Sequence, residues 1–530
     1  MKMSSKARYG LYVAVELAKR YEGGEYVNVA QLAQATGVTE KYLEQIIALM
    51  KKGNLVTSTR GANGGYKLAD EPQNMTVGQI LRAVEDNLEI VDCINKDCGH
   101  RCNCVSHNLW QHLYTHINEY LDTISLQHLC EDNLLRIYID HASTTPCDKR
   151  VVEAMLPYFT DEFGNADSQH FYGRETAKAV ADARATIANL IGCAPNELYF
   201  TASGTEADNW ALKGAALAAR EHGKGTHVII SAIEHHAILT AADWLVKEGF
   251  TVTKLPVGPN GIVDPAELEK VIDDKTSIVS VMYVNNEVGT IQPVRELCKI
   301  AHAHGALFHT DCVQAMPYIH IDVKELGADM ISMSGHKFYG PKGIGALYIR
   351  NGVKLEKLVS GGGQERAQRG GTTNTPAVVG MAKALSMAVE QMDENNKHIA
   401  EVRDHFVERV MNEITDIKFN GDFEHRVPSV ANFSFKYVEG EGILMLMDFN
   451  GIAVSSGSAC SSGSLDPSHV LLAMGVPVEV SHGSIRFSFG KDNTIEEADY
   501  TVDKLKETIA RLRTMSPLYN DKIGGGSYNV

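Results

Sequence analysis

The segment ADMISMSGHKFYGPKGIGALYIR (328–350) holds the chain's most reactive arrangement of residue types. An apolar strand brings Ser334, Gly335, His336 and Lys337 to its end, and a Gly-Pro-Gly turn then feeds a second strand. A lysine fixed at a strand end among small residues is placed to form a Schiff base with a carbonyl compound. Alone, such a lysine is more often a solvated surface charge. Three further segments change that weighing. TASGTEADNWAL sets Gly204 and Thr205 at a helix N-terminus, where free N–H groups and the helix dipole suit a phosphate. ALFHTDCVQ ends a buried strand with Asp311 and Gln314. SAIEHHAIL ends another with His235 and His236. Taken singly, these read as an N-cap, a helix-capping acid and core histidines.

Together they supply a phosphate cup, an acid, an imidazole and a lysine at carboxyl ends of strands, where α/β ligands bind. Pyridoxal 5'-phosphate needs each of them: a phosphate site, a carboxylate for its pyridine nitrogen, a stacking ring and a Schiff-base lysine. A fifth segment, AVSSGSACSSGSLDPSHVL, sets Cys460 in a loop of Ser and Gly. A lone cysteine is more often a buried structural thiol. Nothing around Cys460 could bury it, so an exposed, mobile, reactive thiol is expected.

The N-terminal region carries different chemistry. Cys93, Cys98, Cys102 and Cys104, four of the ten cysteines, fall within twelve residues. Thiolates are soft ligands for iron–sulfur clusters or zinc. Cys93, Cys98 and Cys104 with His107 make a four-ligand set, with Cys102 as a further candidate. Zinc on a mixture of these thiolates, or unliganded redox thiols, are the alternatives.

Ahead of the knot, Asn28 precedes VAQLAQATG, a short helix ending at Gly37. VTEKYLEQIIALMKKG then places Tyr42, Leu43, Ile46, Ile47 and Met50 on one helical face. Helix, Gly turn and helix fit a helix-turn-helix, and LVTSTRGANGGYKLA reads as a two-stranded wing. Thr39, Glu40, Lys41 and Tyr42 would open the recognition helix. Ser4, Lys6, Arg8 and Arg60 are placed to reach phosphates of a duplex DNA operator. Residues 1–67 hold 10 Lys+Arg against 5 Asp+Glu, within a chain of net charge -16. A local basic module in an acidic protein favours DNA over a helical domain that binds none.

These residues must be positioned by two kinds of framework. Residues 1 to about 130 read as helices with one Gly-rich hairpin. From Ile137, apolar strands such as THVIISAI, TSIVSVMYV, GALFHTD and ADMISMS alternate with helical stretches, the pattern of a parallel α/β sheet. The 530 residues, 44% hydrophobic, suffice for large buried cores and exclude global disorder. No run approaches the ~20 apolar residues of a membrane span, and MKMSSKARYG lacks an apolar signal region. A cytoplasmic protein with no membrane partner is expected. The seam near 131–136 has no Pro/Gly/Ser linker, and a mobile tail is expected over 519–530.

YLEQI, RGANGGY and C-x4-C-x5-C-x2-H followed by Leu-Trp resemble the winged-helix regulators of the IscR type, over about residues 1–130. That resemblance implies a dimeric DNA-binding domain, 1–132, whose iron–sulfur cluster, expected as [2Fe–2S], sets operator choice. The first cysteine gap is four residues where that family often has five, and Cys102 is an additional thiol.

DHASTTP, FGNADSQHFYG, GTEADN, EHHAI, VNNEVG, HTDCVQ, SGHKFYGPKG, GGGQERAQRGGTTN, SSGSACSSG and SIRFSFG closely resemble the pyridoxal-phosphate cysteine desulfurases of the NifS/IscS type, over about 137–518. The implied fold class is α/β: a fold-type I, aminotransferase-like homodimer preceded by an all-α/winged-helix DNA-binding domain. A large cofactor domain is expected over about 150–395, with a small one from about 396 plus the N-terminal segment.

The resemblance implies a role at each matching position. Lys337 holds the cofactor and shuttles the substrate Cα proton. Asp311 pairs with the pyridine nitrogen, Gln314 with the phenolate oxygen, and His235 stacks on the ring. Gly204, Thr205, Ser334, Gly335 and His336 bind phosphate, with Thr372 of the partner subunit. Asn286 contacts the cofactor, and Arg486 and Asn165 hold the substrate carboxylate. Cys460 attacks the sulfur of L-cysteine, releasing L-alanine and keeping a persulfide, and could carry sulfur or a transient cluster to a scaffold or other acceptor protein. Ala166 stands where Pro is common, and Cys312 follows Asp311; neither removes a needed group.

The leading expectation is therefore a desulfurase for iron–sulfur assembly fused to a cluster- or redox-responsive regulator. A second reading makes it primarily a DNA-binding regulator whose α/β domain senses cysteine or loads its cluster. A third makes the N-terminal region a protein-interaction module, since residues 68–135 hold 3 Lys+Arg against 11 Asp+Glu.

Overall fold

The computed structural model describes residues 4–21, 26–61, 64–85, 107–130, 136–456, 467–517 and 519. The chain divides into two compact units, Met1–Arg136 and Ile137–Val530.

The first unit begins with α1 (Ser5–Ala18), α2 (Val29–Thr36) and α3 (Glu40–Lys52). Ser4 caps α1 by accepting from the backbone N–H of Lys6 and Ala7. Asn28 and Gln31 form a reciprocal capping box on α2, which stops at Gly37 with φ +69°. The expected face of α3 is largely buried, through Leu43, Ile46, Ile47 and Met50, whereas Tyr42 is half-buried. These residues pack with Val13 and Leu17 of α1 and Leu32 of α2.

The wing is β1 (Val56–Thr59) and β2 (Gly65–Leu68), antiparallel, with Val56 opposite Leu68 and Thr59 opposite Gly65. Tyr66 exchanges two backbone hydrogen bonds with Val27, at 2.9 and 2.8 Å. A Cβ on Gly65 would lie 2.5 Å from Val27 O, so this approach admits only glycine. Helices α4 (Val77–Val84), α5 (His107–Thr123) and α6 (Leu126–Cys130) complete the unit.

The second unit holds β3 (Ile137–Tyr138), β4 (Leu198–Thr201), β5 (His227–Ser231), β6 (Thr251–Leu255), β7 (Thr276–Ser280), β8 (Leu307–Asp311), β9 (Met330–Ser334), β10 (Gly345–Ile349), β11 (Ile417–Asn420), β12 (Val430–Phe435), β13 (Ile452–Ala453) and β14 (Ser484–Ser488). A seven-stranded sheet runs in the order β4-β10-β9-β8-β7-β5-β6. Strands β6, β5, β7, β8 and β9 pair in parallel, as their sequences predict. Every residue of β7, β8 and β9 except Leu307 is buried, and of the polar ones His309 lies between Ser280 Oγ at 2.8 Å and Ser332 Oγ at 2.9 Å.

The sheet departs from the all-parallel expectation at β10, which lies antiparallel to both β9 and β4. Only ten residues, 335–344, separate β9 from β10. That is too few for a crossover helix, so the chain turns back directly.

The helix Gly204–Glu221 crosses this sheet on a seam of alanines, Ala207, Ala211, Ala215 and Ala216, beside Trp210. Small side chains let its axis approach closely, so its N-terminus sits at the carboxyl ends of the strands. A second sheet, β11-β12-β14, packs Phe433, Phe435 and Phe487 against Phe406 and Leu505. Removing one such ring would cost about 3–5 kcal/mol. Strand β3 pairs in parallel with β13, and Asp140 bridges to Ser488, which ties the start of the unit to its C-terminal sheet.

Candidate active site

A cavity of about 370 Å3 opens where β4, β5, β8 and β9 end. It is lined by Gly204, Thr205, His235, Asn286, Asp311, Gln314, Ser334, His336, Lys337 and Arg486, ten of the expected site residues. They come from segments up to 282 positions apart in the sequence.

Lys337 closes a short helical turn after β9. Its Nζ donates to Ala142 O at 2.5 Å and to Ser143 O at 2.9 Å. Gln314 Nε2 donates to the same Ala142 carbonyl at 2.8 Å. The 140–146 segment thus sets the height of both side chains. Gly335 is buried beneath this turn rather than in the cavity wall; a Cβ there would meet Ile344 Cγ2 at 2.9 Å.

Asp311 ends β8 with one carboxylate oxygen accepting from the Val313 N–H at 2.8 Å. Burial pushes its carboxyl up, and the Lys337 ammonium opposes this. A buried acid at the cavity wall is suited to a protonated ring nitrogen, whose charge would favour the ionised form. His235 Nδ1 accepts from the Ala237 N–H at 3.1 Å, so a neutral ring carries its proton on Nε2. Burial, then Lys337, lower this imidazole to about 4, which keeps it neutral near pH 7. His236 also lines the cavity, with its ring 5.0 Å from that of His469.

The phosphate end lies at the first turn of the 18-residue helix Gly204–Glu221. Ser203 caps it, Ser334 and His336 face it from the end of β9, and backbone N–H groups of a first helical turn have no partner within the helix. Gly204 is held close to the neighbouring loop: a Cβ there would lie 2.8 Å from Val313 Cγ2. Burial, then Lys337, lower His336 to about 4, and its Nδ1 lies 3.1 Å from Thr144 Oγ1.

Arg486 on β14 is 3% exposed. Its Nη1 donates to Asn286 O at 2.9 Å, and its Nη2 to Asp140 Oδ1 at 2.8 Å and Ser143 Oγ at 2.6 Å. Its Nε is buried with no hydrogen-bond partner among the described residues. An orphaned guanidinium N–H beside a cavity is a ready donor for a carboxylate. The donor set therefore fits pyridoxal phosphate: a lysine, a buried acid, a neutral imidazole, a helix N-terminus and an arginine.

Besides Gly335, Asn165 is not brought to this cavity, and Thr372, expected to act from the partner subunit, does not line it within its own chain. Asn165 is exposed, and its Oδ1 accepts from the Asp167 N–H at 3.0 Å, a local Asx turn. Thr372 lines a separate cavity of about 180 Å3 with Thr201, Glu365 and Arg369. Cys460 lies outside the described residues.

Sequence reasoning gave no role to Asp140, Ser143, Asp208, Glu234, Glu287 or His469. Asp208 lines the cavity, with Oδ1 lacking a hydrogen-bond partner among the described residues and 3.8 Å from His309 Nε2. Glu234, pushed up to about 8 by burial, accepts from Ser231 Oγ at 2.5 Å and the Met282 N–H at 2.8 Å. Asp140 and Ser143 stand in the quoted DHASTTP, but their partner is more than 340 residues away.

In the first unit, Lys6, Arg8, Thr39, Glu40, Lys41 and Arg60 are exposed, and Ser4 and Tyr42 are half-buried. The Arg8 guanidinium lies over the Tyr9 ring at 4.7 Å, and Tyr9 packs edge-on to Tyr42 at 6.1 Å. The N-terminal turns of α1 and α3 therefore share one face. Arg60 lines a groove with Asn28, Glu44, Lys51 and Ser58. Cys93, Cys98, Cys102 and Cys104 lie outside the described residues, as does the side chain of His107. No helix among the described residues is long and apolar enough to cross a membrane.

Residues 137–501 match the aminotransferase class-V family, and residues 3–132 match the Rrf2 family of iron-dependent transcriptional regulators. The cysteine desulfurase IscS of Dictyoglomus turgidum is 49% identical over 381 residues, 72% of this chain and 96% of that protein. A cysteine desulfurase of Homo sapiens is 46% identical over 386 residues, 72% of this chain and 84% of that protein. A solved NifS-like protein has a TM-score of 0.67 at 38% identity, covering 71% of this chain and 100% of that one. SspA in complex with cysteine gives 0.60 at 34% identity, covering 68% and 100%.

Proposed function

Because the chain belongs to the aminotransferase class-V family, as a pyridoxal-phosphate-dependent cysteine desulfurase joined to an Rrf2 regulator domain, we propose that Lys337, His235 and Cys460 carry its chemistry. We further propose that persulfide sulfur from Cys460 passes to an acceptor protein for iron–sulfur cluster assembly. The observation that carries this assignment is the convergence of Lys337, buried Asp311 and Arg486, whose Nε has no partner among the described residues, on one cavity.

Arg486 Nε holds the carboxylate of L-cysteine, while Asp140 and Ser143 keep the guanidinium from rotating. Asp311 would pair with the ring nitrogen of bound pyridoxal phosphate, and Gln314 with its phenolate oxygen. Thr205, Ser334 and His336 bind the phosphate, with Thr372 of the partner subunit in a homodimer. Bound pyridoxal phosphate supplies an electron sink, without which charge left at carbon by C–S cleavage would be far too costly. Lys337 Nζ would take the Cα proton of the substrate, and His235 Nε2 would exchange protons at the site. Cys460 thiolate then attacks the substrate sulfur: an S–S bond forms, the C–S bond breaks, and protonated carbon leaves as L-alanine.

In the regulator domain, Cys93, Cys98, Cys104 and His107 hold the cluster, read as [2Fe–2S], with Cys102 as a further thiol. Ser4, Lys6, Arg8, Thr39, Glu40, Lys41, Tyr42 and Arg60 meet the operator. Cys460→Ala in the full chain tests the enzyme reading. Alanine production from L-cysteine with a physiological reductant should be abolished while the lysine-bound cofactor absorption stays; retained alanine production would overturn it.

A further inference from the structure

The surroundings of Arg486 hold more acid than one guanidinium can balance. Asp140 is already paired with it at 2.8 Å. Glu287, next in the chain after Asn286, is 4% exposed and lines the same cavity. Its Oε2 lies 2.5 Å from Ser468 Oγ, and Ser468 caps the helix His469–Ala473. A substrate carboxylate beside Arg486 would be the third around one cation, where Arg486 and Glu287 are both buried. Like charges packed this way cannot all stay ionised, so the carboxylate with the weakest hold on the cation takes a proton.

That group is Glu287. Asp140 is bonded to the guanidinium directly, whereas the side chain of Glu287 is bonded to a hydroxyl. A hydroxyl that donates to the carboxylate can turn to accept from the carboxylic acid, so protonation weakens this contact without leaving a buried group unpaired. Arg486 on β14 is the charged group bearing on Glu287, and Ser468 faces it from the following helix. Asn432 on β12 reaches only its backbone oxygen, and Asn285 only its backbone N–H. His235, His469, Asp311 and Lys337 share the cavity wall. Burial pushes the Glu287 carboxyl up to about 7, with Ser468 and Arg486 opposing.

We propose that Glu287 takes up a proton from solvent when the substrate carboxylate binds at Arg486, and so sets how substrate affinity depends on pH. The inference rests on the assignment of Arg486 as carboxylate holder. Glu287 is a positioning residue in this scheme: it acts on substrate through the guanidinium. Carboxylate affinity then falls as pH rises above neutral, approaching about tenfold per unit for one linked proton.

The test is calorimetric titration of the holoenzyme with 3-mercaptopropionate, which has the carboxylate and thiol of cysteine but no amine to displace Lys337. Runs near pH 7.5 in two buffers of different ionisation heat read proton uptake directly. The native protein should take up protons on binding, and Glu287→Gln should abolish that uptake and flatten affinity against pH. Ser468→Ala, which removes donation to the anion, should move the uptake midpoint to higher pH. Uptake retained in Glu287→Gln, or an unmoved midpoint in Ser468→Ala, overturns the proposal. Arg486→Lys separates the two readings. It should weaken probe binding at least tenfold, and unchanged binding would overturn the Arg486 assignment itself.

Discussion

Lys337 Nζ and Ala142 O meet at 2.5 Å, with Gln314 Nε2 donating to the same carbonyl at 2.8 Å. One backbone oxygen in the DHASTTP segment therefore sets two side chains that arrive from β8 and β9. Lys337→Ala removes both the covalent anchor and the proton carrier. Turnover should fall by at least about 10²-fold, the lower end for losing a positioned acid–base group. Absorption spectra before and after L-cysteine would check this, since the lysine-bound band should be missing from the variant.

Asp140→Asn leaves Arg486 with the Ser143 hydroxyl and the Asn286 carbonyl but without its ion pair. A hydrogen bond to a charged group contributes about 1.5–3 kcal/mol, so a guanidinium freed to rotate should raise KM roughly ten- to hundredfold. The chemical step does not touch Asp140, so kcat should change much less. Steady-state alanine production resolves the two constants.

Stability should also depend on pH in a definite direction. Burial raises Glu234 to about 8 and Glu287 to about 7, far above the ordinary carboxyl range. The folded chain holds protons there that the unfolded chain has already released. The stabilisation these groups allow is complete below an unfolded value of about 4.3 and is lost as pH rises through the folded values. Glu234→Gln should flatten the decline in melting temperature between about pH 5 and 8. An unchanged slope would mean that Glu234 is ionised in the fold.

Neutral histidines act on the other side. Burial, reinforced by Lys337, lowers His235 and His336 to about 4, and burial lowers His309 to about 3. Their protons are bound by the unfolded chain first, so stability should fall as pH drops below about 6.5. His309→Gln should weaken that acid-side loss, as measured by urea unfolding at pH 4–6.

Lys6→Ala and Arg60→Ala should each weaken operator binding almost uniformly across sequences. Each lost phosphate contact should lower the salt-dependence slope by about 0.9. Fluorescence anisotropy over a salt series reads both effects. Loss of thiolate–iron absorption in Cys93→Ala, purified anaerobically, would separately mark the cluster ligand.

Much of the framework was legible locally. The caps Asn28 and Gln31, the stop at Gly37 with φ +69°, and the buried face from Leu43 to Met50 follow from spacing and turn chemistry. So do the buried strands that end in Asp311 and Ser334, because short, largely apolar stretches alternating with helical ones read as parallel strands. Lys337, Asp311, His235 and Thr205 could be named because each sits where a strand ends or a helix begins. Those are positions at which backbone geometry aims a side chain.

Other features required the chain to be folded. The place of β10, antiparallel between β9 and β4, depends on which strands become neighbours. Arg486 finds Asp140 across 346 positions, and Glu287 finds Ser468 across 181. Residue type and spacing determine what a side chain can do and which way its local backbone points it. Whether a carboxyl stays ionised depends on the charges and water around it, and only packing of distant segments decides those.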